Sequence, residues 1–326
     1  MEIWSRAHGA RHVGPPTSHG IGISHLTWSA DGRYLAWYQD TGANGGEVVS
    51  VNTASGSTHT WPQKFAPSGL AVSGTNIYTT DNSTPFLVRT GPDGATHPFA
   101  LPARAALTAP TPKGLVFASA SDYPFTTQLW SLDLKGQTKQ IVTLTALRHP
   151  NLALYNQMAA GDGIAALEEG DHQDVCGLGG TALLHTVNLS SGTQHLSTIP
   201  GDPKAKWRLL AMHFGAAGKG LVFGAYDAQQ CGSAEASSAS IVHFPTALFE
   251  LPAPGLPVRR LASNASAGQR GPSGQLAEIT GTKAMTYTPA EPVLTRDGHV
   301  GALVSGKPIP SPGTPYDLLW APSPTR

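Results

Sequence analysis

The chain carries two cysteines, Cys176 and Cys231. An even number of thiols that can reach one another is the arrangement that oxidises to a disulfide. Such a bond would close a loop of roughly 55 residues, constrain the unfolded chain by about 4 kcal/mol, and mark an oxidising compartment. Near the first cysteine, Glu168, Glu169, Asp171, His172 and Asp174 form the densest acidic cluster. Carboxylate oxygens of this kind suit hard cations such as Ca²⁺. The segment lacks the loop glycine and spacing of a calcium site, so a solvated hairpin tip is expected, with no bound metal. Gly177-Leu178-Gly179-Gly180-Thr181-Ala182 fits a nucleotide-binding pattern on paper. That pattern needs a helix after it, and Leu183 to Leu189 reads as a strand. There is no Gly-x-Ser-x-Gly elbow, His-Glu-x-x-His helix or phosphate-cradling loop, so no catalytic residue is assigned and no cofactor is expected. The 13 histidines are scattered; His185, His213 and His243 fall in predicted strands as structural or surface residues.

What must position these residues is a repeat. Its clearest copy runs from Ser24 to Asp40: an apolar strand, the turn Asp31-Gly32, and a second strand ending in Asp40. A third strand follows at Glu47 to Val51, and Ala54-Ser55-Gly56 turns the chain into a fourth, Thr58 to Trp61. Weaker copies are anchored at Gly74, Gly114, Gly163 and Gly220, each with a strand after it. The aspartates Asp40, Asp81, Asp122, Asp171 and Asp227 recur at the ends of these second strands. Third strands are expected at Phe86 to Val88, Gln128 to Leu132, Ala182 to Val187 and Ile241 to Phe244.

Four short antiparallel strands per unit, repeated at this period, make the blade of a β-propeller. Blades stacked in a ring bury faces that a lone sheet would leave wet. The sequence therefore predicts an all-β fold, one propeller domain over residues 1–326, with six blades favoured and seven the alternative. Arg296-Asp297-Gly298 reads as a sixth anchor, preceded by a Gly/Ser-rich stretch from Ser263 to Gly274 and an extra hairpin within Leu276 to Tyr287. Tyr316 to Trp320 echoes the strand at Gln128. Ile3-Trp4-Ser5 and Ala10 to Val13 have no complete unit and are expected to join the last blade as outer strands, closing the ring and removing a sheet edge.

In this register Cys176 and Cys231 fall in equivalent connections of neighbouring blades, on the face that also bears the aspartates. Aspartate at a hairpin mouth accepts hydrogen bonds from the next backbone N–H groups, which is the structural role expected of all five. The arc they form, with Glu168, Glu169, His172 and Asp174, also marks the face where insertions concentrate and a partner would dock.

The segment Leu26-Thr27-Trp28-Ser29-Ala30-Asp31-Gly32-Arg33-Tyr34-Leu35-Ala36-Trp37 resembles the WD40-like repeat of TolB-type propellers: a strand, Trp-Ser-x-Asp-Gly, a basic or polar residue, and a second apolar strand. The other copies match only schematically, without counterparts of Trp28 and Ser29. The resemblance implies the propeller architecture and says little of activity, since that group serves many functions.

Composition agrees with short strands and turns. Gly (37) and Pro (27) are abundant while charged residues make up 13%. The formal net charge of +0 offers no long-range attraction to nucleic acid, and no apolar run is long enough to span a bilayer. The start of the chain lacks the pattern of a signal peptide, so export would rest on a segment outside this sequence. With the disulfide, these features predict an extracytoplasmic, non-enzymatic module that presents blade loops to a protein or cell-envelope ligand. The alternative is a propeller hydrolase or lyase with its site in the central channel.

Overall fold

The computed structural model describes residues 2–5, 9–14, 23–41, 45–81, 83–120, 127–144, 153–161, 163–171, 182–201, 207–215, 220–227, 240–243, 246–271, 276–287, 292–302, 307–309 and 319. Its regular structure is strand throughout, and the architecture is a β-propeller.

The first blade contains β3 (Ile23–Trp28), β4 (Tyr34–Asp40), β5 (Gly46–Asn52) and β6 (Thr58–Gln63). The second has β7 (Gly69–Ser73), β8 (Asn76–Thr80), β9 (Phe86–Thr90) and β10 (Thr96–Ala100). The third has β11 (Leu107–Thr111), β12 (Gly114–Ala120), β13 (Thr127–Asp133) and β14 (Thr138–Leu144). The fourth has β15 (Ala153–Ala160), β16 (Ile164–Asp171), β17 (Leu183–Asn188) and β18 (Gln194–Thr198). All four are antiparallel meanders in chain order. The fifth joins β19 (Trp207–Phe214), β20 (Leu221–Asp227), β22 (Thr246–Leu251) and β23 (Arg259–Ser263), and passes over β21 (Ser240–His243).

The repeat works because its glycines do. Gly32, Gly74, Gly163 and Gly220 have φ of 69°, 56°, 78° and 68°, the left-handed conformation that turns a first strand into a second at little cost only without a Cβ. Blades two to five then bury both faces against neighbouring sheets, and so their middle strands read as nearly continuous apolar runs. Ala36, Tyr38, Val48 and Trp61 of the first blade pack on Leu70, Val72 and Ile77 of the second. Tyr78 and Leu87 meet Phe117 and Leu132 across the next seam, and Leu129 and Leu144 meet Leu167 and Val187 across the third. The largest cluster joins blades four and five through Leu184, Leu209, Phe223 and Phe249. Each such side chain contributes about 2–3 kcal/mol by leaving water. Outer strands such as β10 are mostly exposed.

Among the described residues five blades stand where the sequence predicts six or seven. The remaining sheet departs from the blade pattern: five strands in the order β21, β25 (Leu276–Tyr287), β26 (Pro292–Ala302) and β27 (Lys307–Ile309), with β24 (Ala265–Arg270) also paired to β25. β25 and β26 are 12 and 11 residues long, so one edge of β25 takes β24 along one half and β21 along the other. The Gly/Ser-rich stretch Ser263 to Gly274 holds β24, packed on β19 and β20. Two sequence readings are corrected here: Leu276 to Tyr287 is one strand, not a hairpin, and Gly298 sits inside β26 opposite Gly281, not at a turn. The third strand of the fifth blade is β22, while Ile241 to His243 leaves that blade for β25.

The N-terminal strands β1 (Glu2–Ser5) and β2 (Gly9–His12) pair with each other as a separate two-stranded sheet, so the expected closure of the ring by them is not seen. Val13 instead packs with Leu35, Trp37, Val49 and Val51 on the face of the first blade that points away from the second. Gly14, at φ 81°, lies against the Trp37 ring where a Cβ would overlap it. Tyr316 to Trp320 lies, apart from Leu319, outside the described residues.

Candidate functional site at the seam of blades four and five

The second strands of the five blades all run toward one face, where their connections to the third strands are 41–45, 81–85, 121–126, 172–182 and 228–245. On the opposite face the third-to-fourth connections are 53–57, 91–95, 134–137, 189–193 and 252–258. The connections therefore lengthen around one face, the last of them carrying β21, and stay short on the other. Asp40, Asp81, Asp171 and Asp227 all stand at the loop-face ends of their strands. The structural role is seen at Asp81, whose Oδ1 accepts from the Ser83 N–H at 2.7 Å. Asp122, His172, Asp174, Cys176 and Cys231 lie outside the described residues, as do the side chains of Asp171 and His243.

Glu168 and Glu169 are not the solvated hairpin tip that the charge cluster suggests. They belong to β16 and are 2% and 3% exposed. Consecutive strand residues point to opposite faces, and the two carboxyls accordingly serve different seams. Glu169 lies 3.5 Å from His185 Nδ1 on the side of blade four that packs on blade three, and His185 Nε2 donates to Gln194 Oε1 at 2.9 Å. His185 thus has the structural role expected of it.

Glu168 turns to blade five, where two irregularities meet. The pairing of β15 with β16 shifts between Tyr155 and Met158, so a bulge stands opposite Glu168. The pairing of β19 with β20 shifts between Leu209 and Ala211, a second bulge in the neighbouring inner strand. Leu209 joins them: its N–H donates to Glu168 Oε1 at 3.1 Å and its carbonyl accepts from Gln157 Nε2 at 2.9 Å. A bulge frees backbone groups from the ladder and redirects side chains, and it recurs next to functional sites. Here backbone groups beside a bulge of one blade are bound by side chains of the neighbouring blade.

Arg208 and Tyr226, 8% and 9% exposed, flank the carboxyl. Burial pushes Glu168 up to about 7, against the opposing pull of the Leu209 N–H and the Arg208 charge. Burial also raises Tyr226, and the Glu168 charge adds to that rise. A buried carboxyl poised near neutrality beside a guanidinium and a phenol can hold or release a proton at working pH. Among the described residues no group of three or more His, Cys, Asp or Glu could hold a metal ion.

The inner strand of blade one has a bulge as well, between Ser24 and Thr27. It carries His25 at φ 55°, a left-handed conformation uncommon away from glycine. Burial lowers the His25 pKa, which favours the neutral imidazole. The sequence places Ser24, His25 and Leu26 in a regular strand, and gives no sign of either this bulge or the Gln157, Arg208 and Tyr226 grouping. Bulge positions leave no mark in residue spacing.

No protein-family model and no curated protein matches the chain. Solved structures do. Kuenenia stuttgartiensis hydrazine synthase aligns over 84% of this chain and 79% of its own, with a TM-score of 0.55 and 13% identity. An oligogalacturonate lyase in complex with manganese aligns over 88% of this chain and 77% of its own, with a TM-score of 0.56 and 12% identity. The Swd1 β-propeller domain of Myceliophteria thermophila aligns over 88% of this chain and 97% of its own, with a TM-score of 0.49 and 11% identity. At these identities the likeness concerns fold alone.

Proposed function

We propose that the chain is a binding module that engages a protein or cell-envelope ligand with its loop face. The observation that carries this reading is the asymmetry of connections: 172–182 and 228–245 leave the loop face at adjoining blades, while the opposite face has only short turns. Binding residues concentrate on loops held by a rigid scaffold, and the stacked blades are that scaffold. A bond between Cys176 and Cys231, which lie in these two connections, and a place outside the cytoplasm belong to the same proposal. So does the kinship to TolB-type repeats, supported by Ser29 and Asp31. Ser29 Oγ donates to Asp31 Oδ1 at 2.6 Å and accepts from the Tyr34 N–H at 2.9 Å, which fixes the Ser-x-Asp-Gly turn.

The second reading, a hydrolase or lyase, draws on Glu168 beside Arg208 and Tyr226, a carboxyl suited to proton transfer. One experiment separates the two. The purified chain is presented with a panel of peptides, peptidoglycan fragments and polysaccharides, and both retention and product release are followed. The binding reading expects saturable retention of a panel member with its mass unchanged. Accumulating product that disappears in Glu168→Gln would replace it with the enzymatic reading.

A further inference from the structure

We infer that blades four and five are joined by a proton-operated link, in which Glu168 holds the seam together when protonated and loosens it when ionised. The inference goes beyond the binding proposal and is tested on the chain alone.

Three geometric observations carry it. Glu168 crosses from β16 to the backbone of β19, and its Leu209 N–H contact at 3.1 Å links one blade directly to the next. Both strands are bulged at this point, and beside the bulge both Leu209 peptide groups are bound by side chains of the adjoining blade, the N–H by Glu168 and the carbonyl by Gln157. The carboxyl is also 2% exposed and sits beside the apolar cluster of Leu184, Leu209 and Phe223, which gives an ionised oxygen little water.

Among the described residues, the groups facing Glu168 are few. β19 offers Arg208, whose charge favours ionisation, and β20 offers Tyr226, which disfavours it by the mutual effect already noted. β17 places Leu184 opposite, and β15 contributes the uncharged Gln157. The pair Glu169 and His185 belongs to the other face of the sheet. Desolvation is the largest influence on the carboxyl, ahead of the Leu209 N–H and then Arg208, both of which favour the ionised form. A seam that opens exposes Glu168 to water, where it ionises at the ordinary carboxylate value. Raising the pH therefore draws the seam toward its open state.

The test is amide hydrogen exchange of Leu209 and its β19 neighbours between about pH 5 and pH 8, corrected for the intrinsic rate, in the wild type and in Glu168→Gln. The amide keeps an acceptor for Leu209 and cannot ionise. Protection in the wild type is expected to fall tenfold or more over this range, and to change by less than about threefold in Glu168→Gln. Equal slopes in the two proteins, or a flat wild-type profile, would overturn the inference. Should Glu168→Gln not fold, the wild-type carboxyl itself decides by its ¹³C titration. A midpoint at or above about pH 6 supports the link, and one at the ordinary carboxylate value overturns it.

Discussion

Replacing Glu250 by Gln tests how the sheet that follows the fifth blade is held to it. Glu250 lies on β22, its side chain 4% exposed, and holds two guanidiniums. Arg259 of β23 reaches Oε2 through Nη2 at 2.5 Å and Nε at 2.7 Å; Arg270 of β24 reaches Oε1 through Nε and Oε2 through Nη2 at 3.0 Å. The two arginines are not equivalent. Arg259 is 60% exposed, and a pair so open to water is worth less than about 1 kcal/mol. Arg270 is 27% exposed and bidentate, for which about 2 kcal/mol is expected. Glu250→Gln should therefore cost about 2–3 kcal/mol. With roughly 2.1 cal/mol/K of unfolding entropy per residue, a 326-residue chain loses about 3–4 °C in Tm. Calorimetry near pH 7 reads this directly, with Arg270→Ala close behind Glu250→Gln and Arg259→Ala within about 1 kcal/mol of wild type. The Arg270 hydrogen bond, then that of Arg259, holds the Glu250 carboxyl below its ordinary value of 4.5. Its contribution is thus present above that pH and is lost as pH falls through the lower folded value, where wild type and variant converge. If Arg259→Ala costs as much as Arg270→Ala, or Glu250→Gln costs nothing, the reasoning from exposure fails.

Other perturbations read different parts of the account. Glu168 is an acid whose folded value, about 7, lies above the unfolded 4.5, so wild-type stability should decline as pH rises across that window by up to about 3 kcal/mol, and urea titrations should find the decline absent in Glu168→Gln. A Cβ on Gly224 would overlap the backbone carbonyl of Ser266 on β24, which cannot yield as a flexible side chain can. Gly224→Ala should destabilise by about 3 kcal/mol, and a melting temperature equal to wild type would show that β24 is not seated on β20. Trp37 is fully buried and donates from Nε1 to Gln39 Oε1 at 3.1 Å; Trp37→Ala should cost about 3–5 kcal/mol by denaturant unfolding. Thiol counting under denaturing, non-reducing conditions on protein made in an oxidising medium should find no free thiol, and two would refute the bond between Cys176 and Cys231.

The blade repeat was legible because its turns are chemically demanding. A left-handed glycine followed by an apolar strand is a local signal, and Gly32, Gly74, Gly163 and Gly220 carry it whatever lies around them. Gly298 resembles them in spacing yet pairs with Gly281 inside a long hairpin, so glycine alone does not make a turn when both flanking segments can continue as strand. Ser240–His243 has the β-branched residues of a third strand, and only tertiary pairing gives it to β25 while Thr246–Leu251 takes its place. The site was harder to read. Glu168 and Glu169 sit in a run of charges that normally lies in water, and nothing local shows that the neighbouring blade brings a backbone N–H to the first and that His185 stands beside the second. The bulges beside Leu209 and at His25 arise from packing between sheets, which residue spacing does not record.

The central claim is that the loop face recognises the ligand. For whichever panel member is retained, titration calorimetry should compare wild type with one chain whose 172–182 connection is cut to a short turn and another whose 189–193 turn on the opposite face is replaced by Gly and Ser. The account predicts loss of binding by tenfold or more in the first, which keeps its strand content but melts lower for want of the Cys176–Cys231 bond, and unchanged affinity with wild-type melting behaviour in the second. Unchanged affinity in the first chain, or loss confined to the second, would contradict it.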